Sequence, residues 1–147
     1  MKISARARYG LRILLDLALH GNNAPRSIRD IAKSQQISEK FISRLVVELR
    51  RAGFIRSIRG TQGGLQLARF PHLITLLDIV ETMDGPVSLL NCITSPQVCP
   101  RQQHCVVTGV WGEVNQALID TLSSITLADV LTRCPSEQDT AVLDYCI

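Results

Sequence analysis

The chain has 147 residues, 46% of them hydrophobic and 20% charged, which is enough apolar side chain for a packed core and too much for a disordered segment. Its net charge of +3 conceals a division: residues 1–70 carry 14 Lys or Arg against 4 Asp or Glu, whereas residues 71–147 carry 2 against 9. No apolar run reaches the ~20 residues of a membrane helix, and the charged start MKISARARYG lacks the apolar block of a signal peptide, so a cytoplasmic protein without a membrane partner is expected.

The first predicted element is a helix over residues 4–20, with Ala7, Leu11, Leu14, Leu15 and Ala18 inward and Arg6, Arg8 and Arg12 outward. The run His-Gly-Asn-Asn ends it. Ser27 and Asp30 then stand at the spacing of a capping box, and Ile28, Ile31 and Ala32 share one face of a short second helix. Ser38 caps a third, in which Ile42, Leu45, Val46 and Leu49 recur at helical steps and Gly53 supplies the stop. Residues 54–58 and 65–68 read as two short strands joined by Arg59-Gly60-Thr61-Gln62-Gly63-Gly64, where three glycines permit positive backbone dihedrals.

Helix, turn, helix and glycine-tipped hairpin make a winged helix-turn-helix, so the expected fold is mainly α with a two-stranded wing. The basic half of the chain carries this motif, the electrostatic footprint of a phosphate-binding surface. Lys40, Ser43 and Arg44 lie near the start of the third helix, opposite Leu45 and Leu49, as base-edge or phosphate readers. Arg44 has the planar fork that binds guanine bidentately. Glu39 either accepts from cytosine or favours the helix start. Ser38 at that start and Arg59 with Gly60 in the wing complete the DNA-facing set, with Arg50, Arg51 and Arg56 as phosphate candidates. Tyr9 reads as a packing residue. Asp16, Asp30 and Glu48 form no acid–base pair, and no nucleophile elbow or phosphate-cradling loop is present, so an enzyme is not expected.

After the wing, Thr75 and Asp78 cap a helix that runs to about Met83 and breaks at Asp84-Gly85-Pro86. A loop over residues 86–105 follows, holding Cys92, Cys99 and Cys105 with six and then five residues between them. Thiolates at this density suit zinc or an iron–sulfur cluster, although the short CxxC pair of zinc ribbons is missing and three unrelated cysteines fit the spacing equally well. Cys134 reads as a helix-end residue and Cys146 as a tail thiol. Residues 106–125 place Val107, Val110, Trp111, Val114, Leu118, Leu122 and Ile125 on one stripe, which needs a partner surface. The stripe either packs on its own winged domain or, more economically, pairs with a second copy through Val107, Trp111, Val114, Leu118 and Leu122. Thr126 and Asp129 cap a last short helix. The expected organisation is therefore a winged domain over 1–85, a cysteine loop over 86–105, a dimerisation helix and terminal helix over 106–134, and a tail over 135–147.

The runs RYGLRILLDLAL, IRDIAKSQQIS, LRRAGFIRSIRGTQGGLQLAR, ITLLDIVE and SSITLADVL, with the three cysteines between the last two, make nearly the whole chain resemble the Rrf2 family of bacterial winged-helix regulators, its iron–sulfur cluster regulators in particular. The resemblance implies a homodimer whose third helix enters the major groove and whose wing arginine, Arg59, enters the minor groove. It also implies that Cys92, Cys99 and Cys105 hold a 2Fe-2S or 4Fe-4S cluster. Where those cluster regulators carry a histidine, this chain has Thr108, and where the nitric-oxide-sensing relatives carry an acid, it has Arg8, which stays protonated. What remains is similar to the iron-responsive branch, with the fourth ligand unassigned and His104 as an outside candidate. Ser43 and Arg44 replace the Glu and Gln of the cluster regulators, so the resemblance does not carry the operator sequence over. The function implied is a repressor whose operator affinity follows an iron–sulfur cluster that senses iron, cluster or redox and nitrosative status. A metal-free thiol switch and a zinc-stabilised DNA-binding protein are the alternatives left open.

Overall fold

The computed structural model describes residues 2–20, 24–95, 97, 99–100 and 104–134, so the tail and Cys146 lie outside it. Helix α1 spans Ala5–His20 and starts where the Ser4 hydroxyl accepts from the Ala7 N–H at 3.1 Å. Its inward face is broader than the predicted one. Ile13 and Leu17 are 0% and 1% exposed, while Leu11 and Leu15 flank the core half-buried. The reason is its central position: α1 touches α2 (Ile28–Gln35), α3 (Glu39–Arg51), the second wing strand, α4 (Leu76–Asp84) and α7 (Leu127–Leu131), so it has apolar neighbours around much of its circumference.

Helix α2 opens on Ser27, whose hydroxyl accepts from the Asp30 N–H, and closes on Gln36, a non-glycine residue in the left-handed region at φ 54°. Helix α3 opens on Ser38 and buries Ile42, Leu45, Val46 and Leu49, the four positions its periodicity predicts. Gly53 at φ 77° turns the chain after α3, and the Phe54 N–H returns to the Leu49 carbonyl at 3.0 Å.

The wing is an antiparallel pair, β1 (Ile55–Ile58) and β2 (Gly64–Leu67), with Ile55 opposite Leu67 and Ile58 opposite Gly64. It is not free-standing, because Arg26 and Leu65 exchange both backbone hydrogen bonds, at 2.9 and 2.7 Å. The three wing glycines act differently from the sequence expectation. Only Gly60 takes a positive φ, +115°. A Cβ on Gly63 would collide with the Ile58 carbonyl, and one on Gly64 would lie 2.7 Å from the Arg26 carbonyl oxygen, so both are demanded by backbone approach.

Past a 3-10 turn at Pro71–Leu73, Thr75 and Asp78 close a full capping box on α4, as Thr126 and Asp129 do on α7. Between them lie the short α5 (Asn91–Thr94) and the long α6 (Val106–Ser124). The chain then returns to the winged body: the Leu76 N–H bonds the Ile125 carbonyl at 2.9 Å, the Leu127 N–H bonds the Ile74 carbonyl at 2.8 Å, and Leu127 is wholly buried. Along α6 the apolar stripe divides. Leu118, Ile119 and Leu122 lean on the core of their own chain, whereas Val106, Val107, Val110, Trp111 and Val114 face solvent. Among the described residues no helix is long and apolar enough to cross a membrane.

Candidate nucleic-acid interface and cysteine loop

The start of α3 is braced from behind by α1. Ser38 accepts from the Phe41 N–H at 3.3 Å, Phe41 meets the Tyr9 ring edge-on at 5.6 Å, and the Arg12 guanidinium lies 5.2 Å from the Tyr9 centroid. Arg12 also donates to the side chain and the carbonyl of Gln35, at 2.8 and 3.1 Å, which holds the end of α2. Arg6 pairs with Glu48 on α3. Tyr9 is therefore part of the packing behind the motif.

The basic residues fall into two sets. Arg6, Arg12, Arg26 and Arg69 are engaged within the chain; Arg69, which lies 5.1 Å from the Phe54 centroid, bonds the Ala52 carbonyl at 2.9 Å and so secures the end of α3. Lys40, Arg44, Arg51 and Arg59 are exposed, with no side-chain hydrogen bond or ion pair among the described residues. Ser43 differs from its neighbour, because its hydroxyl donates to the Glu39 carbonyl at 2.7 Å and its proton is already committed. Arg50 reaches Ser57 and Arg56 reaches Gln66, at 3.4 and 3.3 Å, long contacts that leave both free to turn toward phosphate. Gly60 marks the exposed turn beside Arg59.

Two cations escaped the sequence reading. Arg29 and Lys33, one turn apart on α2, line a hollow with Gln36, Ile37, Ser38 and Glu39 at the turn between the two helices. Their i, i+4 spacing on the polar face of α2 is the signal that would have found them. Asp30, between them in sequence, is held below its ordinary carboxylate range by the Ser27 hydroxyl, and Asp129 likewise by Thr126. Lowered values of this kind favour the fold at neutral pH, and that contribution fades as acidification passes through the folded-state values.

Substitution at the exposed positions can tell a sequence reader from a phosphate holder. Arg44→Ala is expected to cost about 1–3 kcal/mol at a preferred operator and to relax preference at one base pair. Arg51→Ala should instead weaken all sequences alike and lower the salt dependence by about one counterion. Competition binding against single-base operator variants at two salt concentrations checks both, and a uniform loss for Arg44→Ala would reassign it to phosphate.

Cys92 lies in α5, Cys99 follows in the loop, and Cys105 is the residue from which α6 starts. All three are half-buried. Their chemistry suits a soft metal, yet among the described residues no group of three His, Cys, Asp or Glu is gathered at metal-holding distances. His104 is exposed beside Cys105, and Thr108 donates its N–H to the Cys105 carbonyl at 3.2 Å as part of the helix start. Cys134 stays apart, its thiol 3.7 Å from the Val130 carbonyl.

A helix-turn-helix with a backbone-anchored wing, presenting exposed arginines from both, defines a DNA-binding transcription regulator of the winged-helix class. The family described as Rrf2: Iron-dependent Transcriptional regulator matches residues 3–133, and the chain belongs to it. It is 40% identical over 138 residues to Protein rrf2 of Nitratidesulfovibrio vulgaris, covering 92% of each chain. Among solved structures it resembles CymR, the global cysteine regulator of B. subtilis, at 33% identity and a TM-score of 0.76, covering 92% of this chain and 99% of that one. It resembles T. potens IscR at 32% identity and a TM-score of 0.73, covering 99% and 94%. The family and CymR are both described as regulators.

Proposed function

We propose that this regulator is a homodimeric repressor whose operator affinity follows the state of an iron–sulfur cluster held by Cys92, Cys99 and Cys105. The observation that carries the reading is topological. The three thiols occupy the segment that joins the winged body to α6, so whatever binds them acts on the connection between the DNA-reading face and the helix that pairs two copies. A bound cluster supplies iron- and redox-responsive bonding among the sulfurs. It shifts operator binding only if it favours one arrangement of that connection over another. His104 is the low-ranking fourth donor, and its exposure is compatible with a labile position.

Residues 1–85 then read DNA, 86–105 sense, and 106–134 pair the copies. The solvent-facing Val107, Trp111 and Val114 would make the centre of the interface, while Leu118 and Leu122 support it from the chain's own core. Arg44 and Lys40 would read the major groove and Arg59 the minor groove, with Ser38, Ser43 and Gly60 at their margins and Arg50, Arg51 and Arg56 on phosphates.

Iron, acid-labile sulfide and zinc measured per chain in protein purified without oxygen test the reading. Roughly two or four of both iron and sulfide are expected in the wild type. In Cys92→Ala both should be lost, with a changed operator affinity; unchanged iron in that variant removes the cysteine assignment. Zinc alone would make the loop structural. The resemblance to a global cysteine regulator favours one second reading, a metal-free thiol switch. Intact signalling without bound iron would put it first.

A further inference from the structure

Helix α6 is 19 residues long and presents valines and a tryptophan to solvent, yet the only residue it buries fully is an asparagine, Asn115, 5% exposed. The Asn115 carboxamide oxygen accepts from the Leu89 N–H at 2.8 Å, and its amide donates to the Val87 carbonyl at 3.4 Å. Leu89 stands just before the helix that carries Cys92, and Asn115 lies on the helix that begins at Cys105. One side chain therefore ties the segment that leads into the cysteine loop to the helix that follows it.

The bond also sets a register. One turn away on α6 stand Trp111, Gly112, Leu118 and Ile119, and none of these side chains both accepts and donates. Sliding α6 along the 87–89 segment would thus strand a buried amide and two backbone groups, which makes the present placement distinct from its neighbours. The other end of the segment is tied to the start of α1. Asp84 accepts from the Ser4 N–H at 3.0 Å and from the Ser4 hydroxyl, and Ser4 is the cap of α1. Gly85, at φ +86°, and Pro86 lie between the two anchors.

We propose that Asn115 is the positioning residue that couples the cysteine loop to the rest of the chain, by holding the base of the loop, which Asp84 ties to the winged body through Ser4, against the helix that ends it. The inference rests on the reading that the loop's state governs operator binding, but it concerns how the connection is made and does not require any particular occupant of the thiols. DNA bound to the winged body is then expected to shift the arrangement of the loop through the same contact, and a shifted arrangement changes how readily its thiols react.

The test uses the full chain, metal-free and reduced, with iodoacetamide as the probe and adducts at Cys92, Cys99 and Cys105 read by mass spectrometry. Rates are compared with and without a duplex selected from random sequence by the wild-type protein. In the wild type, the duplex should change the Cys92 rate by about fivefold or more. In Asn115→Leu the change should fall below about twofold even when the duplex is saturating, with Cys134 unaffected in both proteins. A Cys92 rate that the duplex leaves unchanged in the wild type overturns the proposal, as does a full change retained in Asn115→Leu. If circular dichroism shows that the leucine variant does not fold, Asn115→Ser is judged by the same comparison. Iron and sulfide content decide the cluster reading separately, so either idea can fail alone.

Discussion

Asp16→Ala is expected to lower the unfolding free energy by about 3–5 kcal/mol, read as a shift of the urea midpoint at constant slope. Asp16 is 2% exposed in the middle of α1, and its carboxylate is the acceptor on which three segments converge. It takes the Arg26 Nε at 3.0 Å and a second Arg26 nitrogen at 3.4 Å, the Ser34 hydroxyl, and the Gln35 amide at 3.2 Å. Alanine would remove the charge opposite a largely buried guanidinium and leave the Ser34 and Gln35 donors without this acceptor. Because the Arg26 side chain keeps 23% of its exposure, it can reach some water, which places the expected loss toward the lower end of that range. Asp16→Asn, retaining an acceptor without the charge, should lose less. A loss below about 1 kcal/mol for alanine would mean that Arg26 relaxes freely and that the network contributes little.

The same residue locates the boundary of what the sequence disclosed. The caps at Ser27, Ser38, Thr75 and Thr126 were legible because each is a contact over three residues, and α3 was legible because one apolar stripe faces one core. Asp16 was not, since its partners lie 10 to 19 residues away and nothing local marks it as buried. The face of α1 was misplaced for a related reason: a helix packed on several sides does not display a single stripe. The wing glycines were assigned to turn geometry, while two of them answer to neighbouring carbonyls, one of these on a segment far back in the chain. For the proposed DNA-facing set, residue type and place in the motif pointed to Lys40, Arg44 and Arg59, which the fold leaves exposed. Charge alone could not distinguish them from Arg6, Arg12, Arg26 and Arg69, whose partners are fixed by the fold.

The division of α6 has the same origin and leads to the second large effect. A sequence stripe shows that a face is apolar, not which part meets its own chain. Leu127→Ala is expected to cost about 2–5 kcal/mol, because Leu127 is 0% exposed and would leave a cavity beside Ile74, also 0% exposed. The five-residue α7 is too short to persist by its own backbone bonding, so burial of Leu127, its N–H bond to the Ile74 carbonyl and the Thr126 cap hold it in place. Loosening it frees the C-terminal end of α6 from the winged body. Val107→Ala is the informative contrast, since Val107 is 59% exposed within one chain. If the exposed half of α6 pairs two copies, the cost of Val107→Ala should depend on protein concentration through the association equilibrium, whereas a defect inside one chain's core should not add a concentration dependence of its own. Thermal melts over a hundredfold range of protein concentration separate the two. A concentration-independent melt for the wild type, with Val107→Ala within about 0.5 kcal/mol of it throughout, would remove this face from any interface between copies.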